Sequence, residues 1–386
     1  MSAVDLGPLG FDHGGHLLVK RALRGVEVGD GVRVTGEHPA LQVHLAAWCR
    51  GQGHPYRDGV VTRGTAELGR WSGAMRAGGV REVVDKPDAR WGLAARGARV
   101  EAGSPEMRFA LSDKDVVWAD EAERLYAQGA AAQWDPATAI PWDAPIEHPE
   151  EVEDAVVQVM TYLIENEVAA LLVPARFLAQ VHPHFREVLQ VLALQAADEA
   201  RHIEVFTRRA TLRRDAPGLS THGGQASLKT LLDEPDFALA SFLLSVMGEG
   251  SFLDLLWFLG EHGPDPITRA VATMSARDEA RHVAFGMAHL QRHASKDPTL
   301  HGRLASAVQR RHDALQHTAG LNEEVFDALV LLAAGGWAPE QLATGWDRVA
   351  ELVVRMDTKR RGRLARLGFD AEQAETLSSL HTRNFM

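Results

Sequence analysis

The 386-residue chain contains a single cysteine, Cys49, and that scarcity sets the first limits. One thiol forms no intramolecular disulfide and no cysteine-based zinc or iron–sulfur site, so a metal would need oxygen and nitrogen ligands. Positive charge is also short: 41 Lys and Arg stand against 52 Asp and Glu, a net charge of −11. With no cationic excess to replace phosphate counterions, the composition argues against a nucleic-acid partner. Long apolar runs are lacking as well. The longest, 169–173 and 328–334, fall far short of the roughly 20 residues that cross a bilayer. The start, Met-Ser-Ala-Val-Asp-Leu-Gly-Pro, has neither the basic residues nor the apolar core of a secretory signal. These absences lead to the expectation of a cytoplasmic protein with no membrane association. What remains is 45% hydrophobic and 24% charged, ordinary for a folded chain of two or three domains. The 18 histidines make an oxygen–nitrogen metal site worth seeking.

The pattern changes near residue 145. Before it the chain is rich in glycine and carries short strand-like runs such as Gly31-Val-Arg-Val-Thr and Val80-Arg-Glu-Val-Val. Beyond 149, apolar residues recur at i, i+3, i+4 and i+7 and predict helices over about 150–180, 183–213, 236–262, 264–295, 298–317, 322–335 and 338–366. Pro174 falls inside the first of these and is expected to kink or end it, because it removes a backbone donor. Lys359-Arg-Arg-Gly-Arg reads as a solvated helix end, well placed against the helix dipole.

One pentapeptide occurs twice unchanged, Asp198-Glu-Ala-Arg-His202 and Asp278-Glu-Ala-Arg-His282, 80 residues apart and each in a predicted long helix. Glu and His at i and i+3 share one helical face, the Glu-x-x-His element of di-metal carboxylate bundles. Such bundles take one further Glu from each of two other helices. Ile164-Glu-Asn-Glu-Val168 and Met247-Gly-Glu-Gly-Ser251 supply candidates, with Glu167 lying 32 residues before Glu199 and Glu249 lying 30 before Glu279. Each gap fits one helix, a turn and the return of an antiparallel neighbour. Glu167 is preferred to Glu165 because Met160, Leu163, Ile164, Ala170 and Leu171 surround it with an apolar stripe. A carboxylate there needs a metal or a partner charge.

Four carboxylates with only two imidazoles favour a hard dinuclear iron or manganese site, and two Fe(II) ions match the charge of four glutamates. Asp198 and Asp278 are candidates to accept from the histidine N–H groups across the bundle, with Arg201 and Arg281 balancing them.

The Asp-Glu-x-Arg-His form resembles the motif in hydroxylase subunits of bacterial multicomponent monooxygenases and in soluble acyl-carrier-protein desaturases, both ferritin-like di-iron carboxylate proteins. The resemblance covers about 150–295. It implies a mainly α fold, a ferritin-like four-helix bundle with extra helices. By the same resemblance Glu167, Glu199, His202, Glu249, Glu279 and His282 are metal ligands of a non-haem di-iron oxidase or monooxygenase. Two irons, O2, an electron donor and a small or medium organic substrate, free or carrier-bound, are then expected, with a homodimer as the default assembly. A ferroxidase or metal-handling role and a Mn/Fe ligand-binding oxidase are the alternatives. Arylamine N-oxygenase relatives carry another histidine four residues before a motif Glu; Gln195 and Ser275 stand there in this chain, which weighs against N-oxygenation.

Residues 5–60, from Asp5 through His16 to Trp48-Cys-Arg-Gly-Gln-Gly-His54, resemble the small TusA/SirA-like α/β fold. Asp12 falls where that family carries its sulfur-bearing cysteine, so persulfide transfer from this point is excluded. The expected division is an α/β domain over 1–60, a partly stranded segment covering the bundle over 61–148, and the helical di-metal domain over 149–386. Cys49 and Tyr162 read as packed core residues, and His182, His184, His289 and His293 as surface or polar-network residues. Ser245, Gly248 and Gly250 leave either space for ligand or room for close packing. Phe252, Leu253, Leu256 and Trp257 are candidates to line an apolar pocket. Trp118, Trp134 and Trp142 mark a segment expected to lie over the bundle entrance.

Overall fold

The computed structural model describes residues 2–316 and 323–382. It divides into two compact units, Met1–Glu82 with Asp88–Met107, and Val83–Pro87 with Arg108–Met386.

The first unit opens with β1 (Ser2–Asp5), α1 (Gly15–Arg24), β2 (Gly31–Thr35), α2 (Leu41–Gln52), β3 (Tyr56–Arg57) and β4 (Val60–Thr62). The sheet order is β1-β2-β4-β3; β1 and β2 are parallel, with Val4 beside Val34, and β4 is antiparallel to both neighbours. Asp58 and Gly59 both take positive φ, 49° and 77°, as the tight hairpin between β3 and β4 requires. Val32 and Val34 face Val19 and Leu23 of α1 and Leu41, Leu45 and Cys49 of α2 in one small core. The expected N-terminal α/β unit is therefore present. Cys49 is fully buried, and burial pushes its thiol up to about 11, so it packs as a small apolar residue. A short helix α3 (Ala66–Arg70) and a two-stranded ladder of β5 (Met75–Arg76) and β6 (Arg99–Val100) complete this unit. The segment 61–148, expected to be one connector, is thus divided between the two units.

The second unit begins with α4 (Lys114–Val117) and α5 (Ala122–Ala131) and then holds the bundle: α6 (Glu150–Leu178), α7 (Arg186–Ala210), α8 (His222–Leu232), α9 (Phe237–Ser241), α10 (Gly250–His262) and α11 (Pro266–Lys296). Between α9 and α10 the chain runs through an eight-residue π-helical stretch, Phe242–Glu249. Four further helices follow: α12 (Leu300–Leu315), α13 (Glu323–Ala334), α14 (Pro339–Arg366) and α15 (Ala371–Thr382). The helix ends expected at 317 and 322 lie outside the described residues. Helix α6 packs along α7, the π stretch and α10 pack along α11, and α7 meets α11, giving the expected four-helix bundle with extra helices.

Sequence periodicity erred in several places. Helix α6 passes through Pro174 without ending, because a proline one turn from the C-terminus sacrifices a single hydrogen bond and its ring is buried. Helices α8 and α15 were missed; the buried face of α15 is Ala374, Leu377, Ser378 and His381, half polar and so a weak apolar signal. Arg360 and Arg363 are buried, contrary to the solvated reading of that basic run; His182, His184, His289 and His293 are buried too, which removes the surface half of their reading, while His182 and His184 accept from backbone N–H groups as the polar-network half expects. Finally, Glu150–Leu178 and Phe237–His262 do have the length and mean hydropathy of a membrane span, but 67% and 89% of those windows are buried within the protein. Scattered acids hid them from a search for unbroken runs. The same two segments carry Glu167 and Glu249.

Candidate metal centre

Helix α6 presents Glu167, α7 presents Glu199 and His202, the π stretch ends on Glu249, and α11 presents Glu279 and His282. None of the six is more than 5% exposed. They form two overlapping donor groups, Glu167 with Glu199, His202 and Glu279, and Glu249 with Glu199, Glu279 and His282, the donor atoms in each lying within 4.8 Å of one another. Glu199 and Glu279 belong to both groups, where they would lie between two bound metals. Glu165 is half-buried and lies in neither.

The histidines are oriented reciprocally. His202 Nδ1 lies 3.1 Å from Glu199 and 3.3 Å from Glu279, and His282 Nδ1 lies 3.0 Å and 3.3 Å from the same two residues. Their Nε2 atoms point outward, His202 to Asp278 at 3.3 Å and His282 to Asp198 at 3.2 Å. A carboxylate acceptor holds one ring proton on Nε2, so a metal that displaced the Nδ1 proton would meet that lone pair among the glutamates. Each pentapeptide thus orients the other's histidine. Arg201 and Arg281 each bond to both aspartates, Arg201 to Asp278 at 2.8 Å and Arg281 to Asp198 at 3.3 Å.

Gln133 and Trp134 close this outer layer; of the two, the sequence pointed only to Trp134, as part of the segment expected to lie over the bundle entrance. Gln133 Nε2 donates to Asp198 at 3.0 Å while its carbonyl accepts from Arg201 at 2.6 Å. Trp134 Nε1 donates to Asp278 at 2.7 Å, and the Arg201 guanidinium sits 4.8 Å from the ring centre. The tryptophan-rich segment was their only signal. Gln195, at one of the positions where N-oxygenase relatives have a histidine, donates to Glu249 Oε1 at 2.9 Å. Ser275, at the other, is buried with no partner for its hydroxyl.

The orphaned atoms test whether metal fits. Glu167 Oε1, Glu199 Oε1, Glu249 Oε2, both oxygens of Glu279 and His282 Nδ1 are buried without a hydrogen-bond partner. Burial, reinforced by Glu199 and Glu279, pushes Glu167 well above the carboxylate range; burial and Glu279 do the same to Glu249. Burial works to lower both histidines, but the surrounding carboxylates outweigh it and hold them well up. The metal-free cluster must therefore take up protons. Two divalent cations would replace those protons and match four carboxylate charges with nitrogen and oxygen donors of the right kind. The residues fit a di-metal centre.

The π stretch is where the fold departs from regular geometry. The Gly250 N–H reaches the Ser245 carbonyl five residues back, which widens the turn presenting Glu249, as such insertions do at functional sites. A Cβ at Gly250 would lie 2.4 Å from Arg363 Nε, so this glycine serves close packing and not ligand space. Beside the centre is a cavity of about 20 Å³ walled by Ala170, Leu231, Leu244, Phe252 and the three carboxylates Glu167, Glu249 and Glu279. A second of about 20 Å³ lies against Leu244, Phe177, Leu192 and Phe285. Of the expected pocket residues, Phe252 lines the cavity, Leu256 is core, and Trp257 is 41% exposed.

No protein-family model matches the chain, and no curated protein matches it in sequence. Among solved structures it is similar to Protein 19 with aldehyde deformylating oxidase activity from Synechococcus, at 18% identity over 59% of this chain and 96% of that one, TM-score 0.43. It is likewise similar to an R2-like ligand-binding oxidase with aerobically reconstituted Mn/Fe cofactor, at 16% identity over 69% of this chain and 92% of that one, TM-score 0.42. The TusA/SirA resemblance of the N-terminal unit finds no support in these comparisons.

Proposed function

We propose that the chain is an O2-dependent di-metal oxidase or oxygenase, with iron as the resident metal, acting on a small or medium organic substrate. The observation that carries this reading is the complete set of four carboxylates and two Nδ1 atoms converging in one closed site. Glu199 and Glu279 would bridge; Glu167 with His202, and Glu249 with His282, would each complete one metal's set. A bound pair of Fe(II) ions supplies the electrons that reduce O2 and the oxidising power then directed at substrate. The chain's own residues hold and orient. Asp278 and Asp198 keep the histidine rings in one tautomer, and Gln195 fixes one oxygen of Glu249. The walls Leu231, Leu244 and Phe252 keep the adjoining cavity dry. That cavity has room for about one water-sized molecule, the scale of O2. An apolar chamber beside the carboxylates favours an oxidase over metal storage, and a Mn/Fe pair is the alternative occupant.

The test is a single turnover: protein loaded anaerobically with Fe(II) is exposed to O2 with a panel of amines, thiols, aldehydes and carboxylic acids, and products are followed by mass. An organic product formed in step with O2 uptake supports the reading. O2 uptake that ends only in ferric iron, whatever is supplied, contradicts it and points to a ferroxidase.

A further inference from the structure

The first unit holds a hollow of about 650 Å³ that the metal centre does not use. Five cations line it: Lys20 and Arg24 of α1, Arg50 of α2, Arg63 just beyond β4, and Arg70 of α3. No carboxylate is among the described residues lining it, although acids outnumber bases by 52 to 41 in the chain. A concave surface lined by one sign of charge focuses its field on a counter-ion.

Three of the five cations are free. Among the described residues Lys20, Arg24 and Arg50 make no ion pair and no side-chain hydrogen bond. Arg63 donates to the Val26 carbonyl at 2.5 Å, and Arg70 is gripped by both oxygens of Glu101 at 3.0 Å. Arg24 and Arg50 stand in the last turns of their helices, where the dipole favours cations. The dipoles do not account for Arg63, which lies outside any helix, or for Lys20, one turn before Arg24. Like charges at i and i+4 repel. The wall between these residues is set by the fold. Gly53 takes φ 68°, and a Cβ at Gly64 would run into the Gly53 carbonyl oxygen, so two backbones meet there directly. The Gly64 N–H is fixed by His54 Nδ1 at 3.0 Å.

We propose that this hollow binds the diphosphate group of a soluble organic phosphate ester. A single phosphate carries about −1.5 to −2 at pH 7, too little for three unpartnered cations, whereas a diphosphate matches them. Its paired outer oxygens suit the forked donors of Arg24 and Arg50. The volume also exceeds what a lone phosphate fills and lies within the roughly 300–1,000 Å³ of small-molecule pockets. Trp71, another lining residue and 38% exposed, offers an apolar surface to the organic part. The site belongs wholly to the first unit and rests on nothing in the oxidase reading.

The test is calorimetric titration of the full metal-free chain with inorganic pyrophosphate, ADP and orthophosphate, at low and high salt with no divalent metal added. Pyrophosphate and ADP are expected to saturate one site, to weaken as salt rises, and to bind at least about tenfold tighter than orthophosphate. Arg24→Gln and Arg50→Gln, both at exposed positions, should each weaken pyrophosphate by about tenfold with unchanged Tm, because each removes a charge-assisted contact. Arg57→Gln removes the same charge from a side chain that is 92% exposed and outside the hollow, and should leave the affinity unchanged. No saturable binding, orthophosphate as tight as pyrophosphate, an equal loss in Arg57→Gln, or undiminished affinity in both Arg24→Gln and Arg50→Gln overturns the proposal. So does a single-stranded RNA that displaces ADP and binds tenfold tighter, which would make a nucleic-acid strand the occupant.

Discussion

Asp278 makes contact with four other site residues: His202, Arg201, Arg281 and Trp134. Burial alone would raise its pKa, but the hydrogen bond to His202 and the charges around it hold it well below the ordinary range. It therefore stays ionised and keeps the His202 proton on Nε2. Asp278→Asn offers that ring a weaker acceptor and can reverse its tautomer, so metal affinity should fall by about 10–100-fold with little change in helix content. Competition with a chromophoric chelator measures the first and far-ultraviolet dichroism the second; unchanged affinity would remove Asp278 from the orienting role. Glu199→Ala deletes a shared ligand and should lower metal content at both positions. Glu167→Ala touches one donor group and should spare the other.

Elements are held in register by contacts of a different kind. At one end of the bundle Arg209 of α7 is fully buried against Glu153 of α6 at 2.7 Å and Asp265, the N-cap of α11, at 2.8 Å. Removing one partner strands the others, so Arg209→Met should cost about 3–5 kcal/mol in urea unfolding. Both carboxylates carry a pH signature. Burial works to raise Glu153 and Asp265, but Arg209 outweighs it and both lie below their ordinary values. Their contribution is full above about pH 4.5 and is lost as pH falls toward the lower folded values. Stability should therefore decline as pH falls below about 4.5, and Arg209→Met should flatten that slope. At the π stretch, Gly250→Ala drives a methyl into the Arg363 guanidinium. Overpacking of this kind costs about 1–3 kcal/mol. Because Glu249 is adjacent, the variant should also lose metal from the Glu249–His282 position before the other.

For the whole molecule, what could be read in the sequence was what local spacing encodes. The two pentapeptides stand out because Glu and His must share a face at i and i+3, and Glu167 because a carboxylate on an apolar stripe needs an explanation. Gln133 carries no such mark: it reaches Asp198 across 65 residues of chain. Arg209 meets Glu153 across 56, and Arg363 meets Val246 across 117. Only the folded bundle brings these together. The basic run at 359–363 misled for the same reason, since composition says solvent and the fold places two of its arginines in the interior.

The central claim is that six side chains from four helical segments hold two metals, and the most direct measurement is metal content. Protein loaded anaerobically with Fe(II), desalted and analysed by mass spectrometry of the elements, with manganese offered in parallel, should carry about two metal ions per chain. Glu199→Ala and Glu279→Ala should each carry fewer than one. Less than one ion per chain in the parent protein, or unchanged content in both variants, would contradict the account.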